Sequence, residues 1–289
     1  MIMNTPMPTL LAALVTLVLA GPGQSTTDRT AAVTAEIERI VGLSGAEVSV
    51  IYQPLGPGAR PGIALRPDVV YHAASTMKVP VMIELFRRID AGTLKLDDTI
   101  VVSNVFHSIV DGSEYTLSAS VDSDGEVYKA IGSPMSYRAL CEAMITVSSN
   151  LATNVLIEKL GAAKIQATVM ALGAGGMKVL RGVEDQKAFD KGMSNETTAR
   201  GLSTLLEAIY AGKAASKAST GEMQAILKRQ KFNDGIPAGV PKDVAVGHKT
   251  GTITKIHHDA AIVYAAKPYV LVVMTRGMTD EAKIGRAHV

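Results

Sequence analysis

The chain predicts an α/β (α+β) fold: an antiparallel sheet built from both ends of the sequence and flanked by helices, with an all-helical lobe inserted between its halves. Three observations predict it. β-rich runs stand near the start, in "AEVSVIYQP" and "GIALRP", and again near the end, in "VAVGHKTG", "DAAIVYA" and "YVLVVMTR". Helical periodicity dominates the stretch between them, from Ser136 to about Ala211. The length, 289 residues, suffices for one large domain or two lobes sharing a core.

Taken in order, the elements begin with a leader. Residues 9–20, "TLLAALVTLVLA", form an uncharged apolar run of signal-peptide length, too short to span a bilayer. Small residues follow in "AGPGQS", which places cleavage between Ala20 and Ser25 and makes residues 1–25 a signal peptide on an exported protein, periplasmic or secreted. No Lys or Arg precedes the run, so a short membrane anchor is the alternative. From Thr27 to Val41 the apolar positions Ala31, Val33, Ile37, Ile40 and Val41 recur at helical spacing. The two early β runs, joined by "LGPGARP", read as a hairpin. Residues 76–90 return to helical periodicity and stop at "DAG". "YTLSASVDSDGEVYKA", over Tyr115–Ala130, alternates and turns at Asp-Gly, and reads as an exposed hairpin. A last helix over Thr220–Gln230 precedes the three late β runs. The α/β lobe is therefore drawn over residues 26–72 and 213–289, and the helical lobe over 73–212. The end of the chain breaks off as a helix begins at Thr279, and "IGRAHV" is what a common sequencing adapter gives when translated, so a truncated, artefactual terminus is expected.

Composition excludes several classes. Hydrophobic residues are 47% and charged residues 19%, as in a folded globular protein. A net charge of +2 is too small to point to nucleic acid or an anionic membrane. The single cysteine, Cys141, excludes an internal disulfide, and its place on the apolar side of a helix reads as a core thiol. A cleft between the lobes is the expected place for a small-molecule site.

The motif "HAASTMKVPV" sets Ser75 and Lys78 three apart, on one helix face. A lysine there can take the serine's proton if burial or a neighbouring cation lowers its pKa, and the helix N-terminus adds free N–H groups. The competing reading is a helix cap beside a solvated charge. Ser-x-x-Lys arises by chance about once in a chain of this size. Downstream, "MITVSSNLATN" brings Ser148 and Asn150 to the start of another helix, where either would also serve as a cap. "VGHKTGT" ends a strand with Lys249, Thr250, Gly251 and Thr252: a cation and hydroxyls able to hold a carboxylate, and a glycine that admits close backbone approach.

In this order the three motifs form the set found in class A β-lactamases and penicillin-binding proteins. From about Ala31 to Arg276 the chain resembles these serine hydrolases, with "AGTLKLDDTI", "SSNLATNVLIEKLG" and "KRQKFNDGIPAGVP" adding to the likeness. The resemblance implies the β-lactamase/transpeptidase-like fold and a β-lactamase activity through a Ser75 acyl-enzyme. Lys78 would be base or proton shuttle, Ser148 would protonate the departing nitrogen, and Asn150 would bind the substrate's side-chain amide. Lys249 and Thr250, followed by Gly251, would hold the carboxylate. The N–H groups of Ser75 and Thr252 would form the oxyanion hole, at about 3 kcal/mol per donor. It implies no cofactor or metal, a β-lactam or D-Ala-D-Ala-type small molecule as partner, no nucleic acid, no membrane insertion after processing, and a monomer.

Two departures stand out. The middle residue of the second motif is Ser149, where the family usually has Asp, a change expected to cost stability more than chemistry. The loop "RGVEDQKAFDKGMSNETTARGL" lacks the family's Glu-x-x-Leu-Asn context for the water-aiming glutamate. With "NETTA" at the loop's end and Arg181 at its beginning, Glu184 and Asp185 are the acids near the required place; the alternative is an exposed, solvated acidic pair. A related group with this fold lacks the glutamate and deacylates slowly. A D-alanyl-D-alanine peptidase or esterase, or a penicillin-binding sensor acylated without turnover, are therefore the competing functions. His257-His258-Asp259 and Asp122-Ser-Asp-Gly125 are read as strand start and hairpin turn rather than metal sites.

Overall fold

The computed structural model describes residues 26–59 and 61–278. The leader run and the segment from Thr279 onward lie outside the described residues. The chain opens with helix α1 (Thr26–Ser44), then the hairpin strands β1 (Glu47–Pro54) and β2 (Ile63–Leu65). The helical excursion holds α2 (Lys78–Asp90), α3 (Tyr137–Thr146), α4 (Asn150–Leu160), α5 (Ala162–Ala171), the short α6 (Gln186–Asp190), α7 (Ala199–Tyr210) and α8 (Lys217–Lys228). The chain returns through β3 (Val246–Ile253), β4 (Ile256–Val263) and β5 (Tyr269–Arg276).

These five strands form one antiparallel sheet in the order β2-β1-β5-β4-β3, so strands from both ends of the chain interleave as the early and late β runs predict. Val50 pairs with Val273, and Ala260 with both Val272 and Lys249. Period-two alternation sends successive β5 side chains to opposite faces, and both faces are covered, so the strand is apolar from Tyr269 to Met274. Val270, Val272 and Met274 face the core of the helical excursion, while Tyr269, Leu271 and Val273 pack with Ile37 and Val41 of α1. The inner core is continuous from that sheet face into α2, α3 and α4, and α7 lies directly against β1, β4 and β5. Leu85, fully buried on α2, marks its centre, and its truncation to Ala would cost about 2–5 kcal/mol. No helix among the described residues is long and apolar enough to cross a membrane.

One expected element is absent. Tyr115–Ala130 does not form a hairpin: Tyr115 ends a two-residue ladder with Phe106, and a 3-10 turn occupies Val127–Ala130. Local alternation there loses to a non-local bond, because Asp122 is drawn inward to the N-terminus of α4.

Candidate active site

The site lies where the start of α2 meets edge strand β3. A 3-10 turn, Ala74–Met77, leads into α2, and neither it nor α2 has a side-chain cap. Ser75 therefore does not cap the helix; it is part of the turn and lines a cleft of about 800 Å³. Pro80 falls in the first turn of α2, where a missing N–H costs little. Strand β3 presses close against this turn at Gly251, where a Cβ would stand 3.0 Å from Thr76 Cγ2 and 3.2 Å from Ser75 N. The edge position leaves β3 a free side towards the cleft, which Thr250 and Thr252 line.

Lys78 is fully buried and its Nζ donates to Ser148 O at 2.7 Å, Ser148 Oγ at 3.1 Å and Asn150 Oδ1 at 2.7 Å. Burial lowers its pKa to about 7, against the pull of Asp122 and Glu184. Lys249, also fully buried, donates to Ser148 Oγ at 3.0 Å and to the Thr250 carbonyl at 2.9 Å. Burial, and then the charge of Lys78, holds Lys249 well below its usual range. Ser148 Oγ thus accepts from two lysines, which occupies its lone pairs and leaves its own hydrogen for the cleft. Ser148 sits in the left-handed region at φ 61°, and the capping hydroxyl of α4 is that of Ser149, bonded to Ala152 N. Neither Ser148 nor Asn150 is the cap.

Asn150 bridges both sides. Its Oδ1 accepts from Lys78, and its Nδ2 donates to Glu184 Oε1 at 2.6 Å. Glu184 lines the cleft, also at a left-handed φ of 61°, and burial raises its carboxyl pKa despite the Asn150 bond. Asp185 is held differently. Its Oδ1 accepts from Ser108 Oγ and from Ala188 N as the cap of α6, and its Oδ2 accepts from Ile109 N. The two acids are therefore not a solvated surface pair: one is bonded into the site, the other into the loop's scaffold. That scaffold continues through Asn154, which exchanges bonds with Val183, and Asn195, which binds Leu180 N, Arg181 N and Arg181 O.

Sequence reasoning singles out Ser75, Ser148, Asn150, Glu184, Asp185, Thr250 and Thr252, which all line this cleft, Lys78 and Lys249, which are buried and bonded to Ser148 Oγ, and Gly251, packed against the Ser75 turn. It misses Asp122, whose carboxylate accepts from Asn150 N at 2.9 Å and Leu151 N at 3.1 Å, satisfying orphan donors at the start of α4. That bond spans 28 residues, so no local pattern signals it. His258 and Asp259 are structural: His258 Nε2 meets His72 O, and Asp259 meets His248 Nδ1 at 2.9 Å and Ile236 N at 2.8 Å. Cys141 is fully buried, and burial pushes its thiol pKa up, as suits a core residue.

The comparisons agree with this geometry. A beta-lactamase from Bacillus amyloliquefaciens is 27% identical over 236 residues, covering 80% of this chain and 72% of that protein. The solved structure of an ancestral (GNCA) class A beta-lactamase superposes with a TM-score of 0.73 at 27% identity, covering 86% of this chain and 92% of that one. PBP-A, in an L158E acyl-enzyme complex with penicillin G, shares the fold with a TM-score of 0.69 at 24% identity over 98% of this chain and 93% of its own. The beta-lactamase enzyme family matches residues 32–287, nearly the whole chain. With its sheet, its paired lysines and its cleft in place, the chain belongs to the beta-lactamase enzyme family.

Proposed function

We propose that the protein is a serine hydrolase that opens β-lactams through an acyl-enzyme on Ser75 and frees it with water aimed by Glu184. The observation that carries this reading is Ser148 Oγ, fixed between Lys78 and Lys249 with its hydrogen left for the cleft. Ser75 Oγ attacks the carbonyl carbon and its proton passes to Lys78, whose pKa near 7 gives a share of free amine at neutral pH; that amine gives up one of its three donations and regains it as the ammonium forms. The developing oxyanion is held by the N–H groups of Ser75 and Thr252. As the C–N bond breaks, Ser148 protonates the nitrogen and is resupplied by the Lys78 ammonium. The second hydrogen of Asn150 Nδ2 binds the substrate's side-chain amide. Thr250 and Thr252 bind its carboxylate, with the Lys249 amine behind them bonded to Ser148 Oγ and the Thr250 carbonyl. Water then attacks the ester, Glu184 takes its proton, and Ser75 leaves with a proton regained. Glu184 takes this role because Asp185 has both oxygens committed to the scaffold.

A chromogenic cephalosporin, followed for turnover and protein mass together, tests this. Sustained turnover supports it. A single burst with a stable adduct on Ser75 moves the protein to the peptidase or sensor readings, which a D-Ala-D-Ala peptide or thioester assay then divides. Absence of any adduct overturns the acyl-enzyme mechanism. The proposal includes export as a monomer, with residues 1–25 removed; N-terminal sequencing of the processed protein and sedimentation test it.

A further inference from the structure

Two donors in the cleft are not used by this mechanism. Arg181, 5% exposed, opens the loop that carries Glu184; its Nε donates to Met193 O and its Nη1 to Gly182 O. Among the described residues it makes no ion pair with a carboxylate, and Nη2 takes no partner, yet the side chain lines the cleft and that nitrogen is not sealed from solvent. Beside it, His72 also lines the cleft. The Nδ1 of His72 accepts from Ala74 N at 3.0 Å, which fixes the ring's proton on Nε2 in the neutral form. Burial and the Arg181 charge lower the His72 pKa, so the ring is neutral near pH 7. Phe189 meets the His72 ring edge-on at 6.1 Å, giving this part of the cleft an apolar cover. A buried guanidinium with one nitrogen unpartnered, beside an imidazole N–H that is flanked by an aromatic ring, is a receptor for an anion.

The opposing charges are accounted for. Asp185 lies near enough to support the Arg181 charge, but its oxygens point to Ser108, Ile109 and Ala188. Glu184 turns to Asn150 on the far side, and Glu196 is felt at His72 more weakly than Arg181.

We propose that Arg181 Nη2 and His72 Nε2 form a second anion subsite, which selects substrates carrying a carboxylate on the acyl side chain. This deepens the reading of the protein as a β-lactam-acylated serine hydrolase and names the substrate class its cleft prefers.

The test pairs benzylpenicillin with its α-carboxy derivative, which differ only by that carboxylate. The acylation rate of Ser75 by each, followed by mass, gives a ratio that cancels general damage to the loop. Arg181→Met is expected to lower the ratio of carboxylated to plain penicillin about tenfold, with Arg181→Lys retaining much of it. His72→Asn, whose Oδ1 can still accept from Ala74 N, is expected to lower it less. A ratio unchanged in all three overturns the subsite while leaving the Ser75 chemistry standing. A second measurement reads the subsite without chemistry: in Ser75→Ala, the α-carboxy derivative should raise Tm more than benzylpenicillin, and Arg181→Met should erase the difference. Equal shifts in the parent variant overturn the proposal even where Ser75 fails to acylate.

Discussion

Asn150 ties Glu184 to Lys78: its two side-chain atoms span from the Lys78 ammonium at 2.7 Å to the Glu184 carboxylate at 2.6 Å. One amide therefore sets the distance between the group proposed to start acylation and the group proposed to end it. Glu184→Gln keeps a polar acceptor but cannot take a proton from water. Its expected result is normal labelling of Ser75 with turnover reduced about 10²–10⁴-fold, so that the adduct accumulates. Mass spectrometry beside the cephalosporin assay reads both, and unchanged turnover would move the role elsewhere.

The pH dependence follows from the Lys78 pKa. With burial lowering it to about 7, acylation should rise with pH up to about 7 and level off above it, as the ammonium becomes an amine. Glu184 favours the ammonium, so Glu184→Gln should move that acidic limb to lower pH. Because the unfolded lysine still holds its proton near pH 10, this group also makes folding more favourable as pH climbs from about 7 towards its ordinary value of 10.5. Single-turnover labelling across pH 5–9 checks the first two statements; a limb that stays at high pH in both proteins would contradict them.

Asp122 receives the first N–H groups of α4 and supports the Lys78 charge. Asp122→Ala should cost about 1–3 kcal/mol, because donors at the head of a buried helix lose their acceptor. Urea unfolding measures the loss. The same variant should lower the Lys78 pKa further, since removing a carboxylate removes support for the ammonium.

Gly182 has no room for a side chain. A Cβ there would stand 2.7 Å from Asn154 Oδ1, within the bonds that hold the loop at Val183. Gly182→Ala should cost about 1–3 kcal/mol by overpacking and should slow deacylation more than acylation, because Glu184 follows two residues later. Burst and steady-state phases of the cephalosporin reaction separate the two effects.

The sheet was legible because its strands carry their own signal: β5 is apolar at every core position, and the turn between β1 and β2 is rich in Gly and Pro. The three motifs were legible as a set, since each needs a side chain at a fixed offset on one element. What was hidden depends on the tertiary fold. Asp122 looks like a turn residue until α4 is laid beside it, and Ser149 rather than Ser148 proves to be the cap because Ser148 is twisted towards the lysines. Glu184 and Asp185 are adjacent, chemically alike and both at the cleft; Glu184, at φ 61°, bonds to Asn150, whereas Asp185 has both oxygens bonded into the scaffold.

That backbone state has a further consequence. Among the described residues, five that are not glycine adopt positive φ, and Ala74, Ser148 and Glu184 are three of them, each adjoining or forming the reaction centre. Such conformations are costly by about 1–3 kcal/mol each. Variants selected for heat resistance alone will tend to relax these strained positions first, so a hardened descendant of this protein should be a poorer catalyst unless both traits are screened together.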